Sequence, residues 1–288
     1  AAVPPQAGAP QGGRGRGGPP DPPSMTVVVR GKINSDNEWT DQQVIFRADA
    51  KYYSSTNAHY GSRFTFDRQG HLFFTIGEKN DMSHAQDLSD PLGKIHRVND
   101  DGTAPKDNPF TGRPGALPTI WSYGHRHPQG LAWDPVTGKL WESEHGPQGG
   151  DEINIIEPGR NYGWGVITMG IQPGISKRAE EGMEQPVTYW VPSIAVSSIA
   201  FYTGSKFPQW KGHFFAGALS GRALHRIAFN DKGGLLGREA LLTPSRLRVR
   251  DVRQGPDGYI YLAIDANPGG VVRVEPASAP ARSTTGGQ

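Results

Sequence analysis

The chain has 288 residues, with 30 basic and 28 acidic side chains and a net charge of +2, so no charge excess marks a nucleic-acid or membrane surface. The lack of cysteine excludes disulfides and thiolate metal sites. No apolar run approaches the roughly 20 residues of a membrane-spanning helix. With 39 Gly, 25 Pro and 35% hydrophobic residues, the composition instead predicts many short strands separated by turns.

The two ends of the chain differ in composition from its centre. Residues 1–24 are almost wholly Pro, Gly, Ala, Gln and Arg, and cannot bury enough apolar surface to offset their ordering entropy. They are predicted to be a disordered segment or loop, and residues 277–288 a flexible tail. Residues 25–276 are predicted to form one domain. Because the chain begins with Ala and carries no signal peptide, we expect a processed or trimmed product.

Similar modules recur from Met25 onward. Each has an alternating strand, a turn built on Asp and Gly, a second apolar strand and an outer strand of the pattern K/R-apolar-x-R-apolar. Four such modules cover residues 59–102, 124–164, 197–233 and 250–276, and short strands at 26–30 and 43–46 are interpreted as the remains of a preceding one. A repeat of about 40–60 residues with about four strands per unit predicts an all-β fold of the β-propeller type.

Five motifs place polar side chains near strand ends: HYGSR (59–63), GHRHPQG (124–130), SEHGPQGGDEIN (143–154), GRNYGW (159–164) and RVRDVRQGPDG (248–258). Taken together and in this order, they resemble the soluble dehydrogenases of aldose sugars that use pyrroloquinoline quinone (PQQ), relatives of quinoprotein glucose dehydrogenase. The resemblance runs from about Thr26 to Pro276. It implies a six-bladed propeller, of which about four blades, the C-terminal two-thirds of such an enzyme, are expected here.

The resemblance implies three catalytic residues. His59 matches the general base, and an imidazole that titrates near neutrality can take the proton of a sugar hydroxyl. Such a base needs an orienting carboxylate, and Glu78 stands where relatives carry Asp, with Asp81 as the nearby competitor. Arg126 matches a guanidinium that binds PQQ and stabilises its developing negative charge. Without the resemblance, His59 would be interpreted as a surface histidine and Arg126 as a salt-bridge partner.

The cofactor contacts implied by the resemblance come from four segments. His127 follows Arg126, at a position where Asn is usual. Arg248 and Arg250 lie two apart in a strand-like run, so their side chains share a face that could bind carboxylates or form a solvated edge. The complete set of implied PQQ contacts is Arg126, His127, Thr168, Ala218, Leu219, Ser220, Arg248 and Arg250. Ser220 replaces a Lys of the glucose-specific relatives, which favours a broader aldose specificity.

Calcium ligands are implied in the segment that follows the second module's apolar strand. The carbonyls of Gly146 and Pro147 match those that hold a PQQ-linked Ca²⁺, and Asp151, Glu152 and the carbonyl of Tyr162 match a structural Ca²⁺ site. Oxygen donors of this kind suit Ca²⁺. Turn capping and surface charge are the alternative for the acidic pair.

A zinc site made of His125, His127 and His145 is disfavoured because these residues come from two turns without cysteine.

The function implied is oxidation of the C1 hydroxyl of aldoses to lactones, with PQQ and Ca²⁺ as cofactors and an external electron acceptor. No GxGxxG motif follows a strand, which argues against NAD or FAD on a Rossmann unit. Two alternatives stay open: a calcium-dependent propeller hydrolase of the lactonase kind, and a non-catalytic propeller that binds a ligand. The expected location is periplasmic or secreted, the expected state a monomer or homodimer, and neither nucleic-acid binding nor membrane insertion is expected.

Overall fold

The computed structural model describes residues 22–230 and 232–276. Residues 1–21 of the predicted disordered segment, and the predicted tail 277–288, lie outside the described residues. The described chain is all-β, as predicted, with one α-helix of four residues, α1 (Ser83–Gln86). No helix in these two ranges is long and apolar enough to cross a membrane.

The strands follow one another in short segments. Their bounds are β1 (Val27–Ile33), β2 (Trp39–Arg47), β3 (Phe64–Phe66), β4 (Leu72–Ile76), β5 (Lys94–Val98), β6 (Ile120–Tyr123), β7 (Pro128–Trp133), β8 (Leu140–Glu144), β9 (Asp151–Ile156), β10 (Thr188–Trp190), β11 (Val196–Phe201), β12 (Phe214–Ala218), β13 (Ala223–Phe229), β14 (Leu235–Leu241), β15 (Val249–Gln254), β16 (Ile260–Ile264) and β17 (Gly270–Val274). Short 3₁₀ turns lie at Ala50–Tyr52, Pro208–Trp210 and Thr243–Ser245.

The strands pair with their neighbours in sequence to form antiparallel meanders. The described chain has three four-stranded sheets, β3–β6, β7–β10 and β11–β14, together with the three-stranded sheet β15–β17 and the hairpin β1–β2. The first three strands of each larger sheet fall in one of the four predicted modules, whereas the fourth strands β6, β10 and β14 lie beyond the predicted bounds. The strands predicted to be outer ones are β5, β9, β13 and β17, each third in its sheet. In the three four-stranded sheets they are therefore inner strands, and β9 lacks the basic residues of the pattern.

The predicted Asp–Gly turns join the first two strands of three sheets. In the first of them, Asp67 Oδ1 accepts the backbone N–H groups of Gln69 and His71, both at 2.9 Å, which closes the turn between β3 and β4. Asp134 accepts the N–H of Val136 in the same way between β7 and β8. Such side-chain acceptors explain why Asp begins these turns.

The core lies between successive sheets. Trp141 of β8 and Ile153 of β9 pack against Val196 and Ile199 of β11, and all four are almost fully buried. Burial of each large apolar side chain contributes about 1.5–3 kcal/mol. First strands of neighbouring sheets also touch, β7 with β11 and β11 with β15. This side-by-side packing of first strands brings the loops at their ends together, and those loops carry the predicted site residues.

Candidate functional site

His59, in the loop before β3, and Glu78, just after β4, form a hydrogen-bonded pair. The Nδ1 atom of His59 lies 2.6 Å from Oε1 of Glu78, whose side chain is 2% exposed. A carboxylate can only accept a hydrogen bond at this contact, so Nδ1 of the neutral ring carries the proton and Nε2 of His59 is left with a free lone pair. The longer Glu side chain therefore reaches the imidazole. The competitor Asp81 does not, because its Oδ1 accepts the N–H and hydroxyl groups of Ser83.

The backbone around His59 requires glycine at position 77. His59 has a left-handed φ of 49°, which is uncommon for a residue with a side chain. A Cβ atom on Gly77 would lie 2.2 Å from the carbonyl oxygen of His59 and 3.2 Å from that of Arg126. The next residue, Glu78, donates its N–H to the Arg126 carbonyl at 3.0 Å. This close approach of the backbone holds the His59–Glu78 pair beside the GHRHPQG turn.

Three imidazoles stand next to one another in the site. The rings of His59 and His127 stack with centroids 4.7 Å apart, and the edge of His145 meets His127 at 5.0 Å. Burial lowers the pKa of His145, and it lowers the pKa of His127 well below its usual value, with the neighbouring His145, His59 and Arg126 acting in the same direction. Both rings are therefore neutral at physiological pH, when they can donate or accept hydrogen bonds without carrying charge.

Arg126 supplies a positive charge next to these rings. Its Nη1 donates to the His145 carbonyl at 3.2 Å, and its guanidinium lies 5.1 Å from the centre of the Trp164 ring. Burial lowers its pKa, but an arginine remains charged at any physiological pH. Oε2 of Glu144 accepts the backbone N–H groups of Arg126 and His127, at 2.6 and 3.3 Å, and thereby fixes the turn.

Several buried polar atoms of the site have no hydrogen-bond partner among the described residues. They are Glu78 Oε2, Arg126 Nε, His127 Nδ1, Glu142 Oε1 and His145 Nε2. Buried polar groups in folded proteins are normally paired, so a concentration of unpaired donors and acceptors needs an explanation. Donors and acceptors held in place without partners are typical of a binding site.

Next to this group lies an acidic cluster in which two carboxylates are buried and the third, Glu152, is half-buried. Glu142 and Glu144 project from the same face of β8, and Glu152 projects from β9 opposite Glu144. Nδ2 of Asn154 donates to Glu142 at 3.2 Å and to Glu152 at 3.4 Å. Burial, reinforced by the neighbouring carboxylates, raises the pKa of Glu152 to about 8 and that of Glu142 well above its usual range. Such a cluster favours either protons or a cation.

A small cavity joins the cationic and acidic parts of the site. It brings residues predicted for the cofactor (Arg126 and Thr168) together with residues predicted for metal (Gly146, Glu152 and Tyr162). Its full lining is Arg126, Glu144, His145, Gly146, Gly150, Glu152, Tyr162, Trp164, Ile167 and Thr168. The Tyr162 hydroxyl is already used, since it donates to the Ile155 carbonyl at 2.6 Å. Of the two oxygens of Tyr162, the backbone carbonyl is therefore the one that stays a candidate metal ligand, which is the atom the motifs implied.

Asp151 takes no part in this cavity, and its predicted role as a metal ligand does not fit its hydrogen bonds. Oδ1 accepts the Gly146 N–H at 3.0 Å and the Ser193 hydroxyl at 2.7 Å. Oδ2 accepts the N–H groups of Ile194 and Val196, at 3.0 and 3.1 Å. The four bonds use the four lone-pair positions of a carboxylate. Asp151 therefore ties the loop after β8 to the start of β11.

Arg248 and Arg250 converge on one carboxylate, as their shared face allows. Their Nη2 atoms donate to the same oxygen of Asp265, at 2.8 and 2.9 Å. Nη1 of Arg248 also reaches the carbonyl of Leu219, at 3.4 Å. That contact places the predicted segment Ala218–Ser220 beside the arginine pair, with Ala218 buried and Ser220 exposed.

Comparison with known proteins identifies the family. A family model described as Glucose / Sorbosone dehydrogenase matches residues 19–273. The aldose sugar dehydrogenase YliI of Escherichia coli strain K12 is 45% identical over 259 residues, which span 87% of this chain and 69% of YliI. The chain belongs to the glucose/sorbosone dehydrogenase family.

Solved structures of similar proteins support the same assignment. A glucose dehydrogenase structure matches with a TM-score of 0.85 and 42% identity, over 92% of this chain and 76% of that one. The PQQ-bound aldose sugar dehydrogenase from Streptomyces coelicolor matches with a TM-score of 0.70 and 28% identity, over 88% and 72% of the two chains. The resemblance read from the motifs is confirmed, as is the all-β propeller type. At the level of the family, the function is sugar oxidation by a quinoprotein-type enzyme. The number of blades stays a prediction.

Three residues of the site were not predicted from the sequence motifs: Glu142, Glu144 and Asp265. Ligand atoms of His125, Glu142 and Glu144 lie within 4.8 Å of one another, which is close enough to share a cation. The alternation Trp-Glu-Ser-Glu at 141–144 was the available signal, because residues two apart in a strand share a face. Asp265 carried no comparable signal, since its role depends on the fold that brings it to the two arginines.

Proposed function

We propose that the chain oxidises the C1 hydroxyl of aldoses to lactones with PQQ as its electron acceptor and Ca²⁺ as a second cofactor. The observation that carries this proposal is the His59–Glu78 pair, held at 2.6 Å beside the half-buried side chain of Arg126. A base with an orienting carboxylate next to a cation suits the removal of a proton from a hydroxyl group while negative charge develops nearby.

The residues present suit PQQ. Its carboxylates and quinone oxygens are hydrogen-bond acceptors, and the site offers donors: the unpaired Nε of Arg126, and Arg248 and Arg250 at the other end of the group. Thr168 and the Ala218–Ser220 segment are the further proposed contacts. Bound PQQ would supply the two-electron acceptor for the hydride from C1.

The protein's own part in the reaction is to hold the sugar and move a proton. Nε2 of His59 takes the proton of the C1 hydroxyl, and Glu78 stabilises the imidazolium that results. Arg126, whose guanidinium lies over the Trp164 ring, would stabilise the negative charge that develops on the electron acceptor. The neutral rings of His127 and His145 lie beside the base, His59, and do not add a positive charge that would compete with its protonation.

The acidic cluster suits Ca²⁺, with a ligand set that differs from the one implied by the motifs. The proposed ligands are the carbonyls of Gly146 and Pro147 for a PQQ-linked Ca²⁺, and the carboxylate of Glu152 with the carbonyl of Tyr162 for a structural Ca²⁺. The carboxylate of Asp151 is left out because each of its oxygens already accepts two hydrogen bonds. Without a cation, the pKa of Glu152 of about 8 keeps that carboxyl protonated at pH 7. Ca²⁺ must displace this proton, so its affinity should increase as the pH rises from 6 to 8.

Titration of the metal-free protein with PQQ and Ca²⁺, followed by thermal unfolding, tests the cofactor assignment. A ligand at 100 times its Kd stabilises the native state by about 2.7 kcal/mol, which raises the melting temperature by a few degrees. We expect both ligands to raise it, Arg126→Gln to weaken the PQQ effect and Glu152→Gln to weaken the Ca²⁺ effect. No shift at saturating PQQ would contradict the proposal and favour a non-catalytic binding module.

Activity measurements separate the two enzyme classes. We expect aldose-dependent reduction of a dye acceptor only when PQQ is present, and its loss in His59→Asn. Hydrolysis of aldonolactones by the calcium-loaded, PQQ-free protein would instead establish the lactonase-type alternative.

A further inference from the structure

Gln129, the sixth residue of the GHRHPQG motif, has no role in the proposed chemistry, yet its side chain bridges two parts of the site. It lies in β7, and its Nε2 is 2.6 Å from Nε2 of His127. On its other side, Oε1 is 3.5 Å from Nη1 of Arg250, which Asp265 holds through Nη2 at 2.9 Å. The backbone carbonyl of Gln129 accepts a hydrogen bond from Arg63 Nε at 2.9 Å. This hydrogen bond helps to fix the backbone position from which the Gln129 side chain extends.

The chemistry of these groups determines where the protons are. A guanidinium only donates, so the amide oxygen of Gln129 must face Arg250 and the amide NH₂ must face His127. The NH₂ group also only donates, which makes Nε2 of His127 the acceptor. A neutral imidazole has one N–H, so in His127 the proton is on Nδ1.

The Nδ1 atom of His127 is buried and has no partner among the described residues. The ring cannot turn freely to find one, because it stacks on His59 at 4.7 Å and meets the edge of His145 at 5.0 Å. A buried N–H group is normally hydrogen-bonded. This one is held, in neutral form, for an acceptor that arrives with a ligand.

We propose that Gln129 is a positioning residue: the chain Asp265–Arg250–Gln129 fixes His127 as the Nδ1–H tautomer and so provides a neutral donor for an oxygen of the bound cofactor. The tautomer is inferred from the hydrogen-bond geometry around Gln129, whereas the identity of the acceptor rests on the proposed PQQ-dependent function. Gln129 also contacts Arg250, another proposed PQQ contact, so an effect on the cofactor through His127 has to be separated from an effect through Arg250.

The tautomer can be measured in the full chain without any cofactor. In protein labelled with ¹⁵N-histidine, long-range proton–nitrogen correlations distinguish a protonated from an unprotonated ring nitrogen, and His127→Asn assigns the signal by its loss. We expect Nδ1 to be protonated at pH 7. Gln129→Glu replaces the NH₂ donor by an acceptor, so it should transfer the proton to Nε2, whereas Gln69→Glu in the exposed β3–β4 turn should change nothing. An Nε2–H tautomer in the unaltered protein overturns the proposal, whether or not the variant folds.

A double-mutant cycle tests the link to the cofactor. Loss of one hydrogen bond weakens binding about tenfold, so Gln129→Leu should weaken PQQ binding by about that factor, as measured by thermal shift or fluorescence titration. An asparagine at position 127 has its own amide donor and does not need Gln129. In the His127→Asn background, the effect of Gln129→Leu should therefore fall below about threefold.

The outcomes of the two measurements are distinguishable. If the tautomer is Nδ1–H but the unaltered protein does not bind PQQ, the proposed function fails and the positioning of His127 by Gln129 stands. If PQQ binds but Gln129→Leu weakens it equally in both backgrounds, or not at all, the proposed function stands and the link from Gln129 through His127 to the cofactor is overturned.

Discussion

Replacement of Glu78 by Gln is the most direct test of the proposed base. The substitution keeps the size of a side chain that is 2% exposed and removes the charge that lies 2.6 Å from Nδ1 of His59. The imidazolium formed on proton transfer then loses its buried counter-charge, and the amide no longer requires the tautomer with a free Nε2. A positioned general base contributes about 10²–10⁴-fold, so we expect kcat to fall by that factor, which is ~3–5 kcal/mol of activation free energy.

The assay is steady-state oxidation of an aldose by the PQQ- and Ca²⁺-loaded protein, with a dye as the electron acceptor. KM should change little, because Glu78 acts on the transition state rather than on sugar binding. Asp81→Asn is the matched control: its carboxylate, three residues away, contacts Ser83 and not His59, so its kcat should stay within about threefold of the unaltered protein. A Glu78→Gln variant that is folded, binds PQQ and retains kcat within threefold would refute the proposed role of the pair.

Three further predictions concern the scaffold around the site. Asp151→Ala leaves four donors without their acceptor and should lower the free energy of unfolding by ~3 kcal/mol or more, in a chelator as well as in Ca²⁺. An unchanged free energy of unfolding in the chelator would contradict this structural role. Burial lowers the pKa of Lys94 to about 7, so between pH 7 and about 10 the unfolded chain binds more protons than the native one. Urea unfolding should therefore show stability increasing with pH over this range, by more than in Lys94→Met; equal slopes would contradict the shift. Gly77→Ala places a Cβ atom 2.2 Å from the His59 carbonyl oxygen, so kcat should fall at least tenfold while the Ca²⁺-induced thermal shift persists.

Local patterns in the sequence determined the fold class and the family. Asp and Gly at the turns and the alternation of apolar residues are local properties, because side chains two apart share a face of a strand and Asp closes the turn to its own neighbours. These patterns placed the first three strands of the four larger sheets, and the hairpins at Asp67 and Asp134, in the right segments, but not the fourth strands β6, β10 and β14. The order of the motifs around His59, Arg126 and Glu152 was enough to recognise the family.

The contacts between distant segments were decided only by the tertiary structure. Glu78 reaches His59 because Gly77 lets two loops approach each other. Asp151 was predicted to bind metal because the sequence does not show that groups of Ser193, Ile194 and Val196 donate hydrogen bonds to its carboxylate. The proposed positioning role of Gln129 depends on its contact with Arg250, which lies 121 residues further along the chain and on a different sheet. Hydrogen bonds have direction and a range of about 3 Å, so proton positions in a site depend on which distant groups the fold brings into contact.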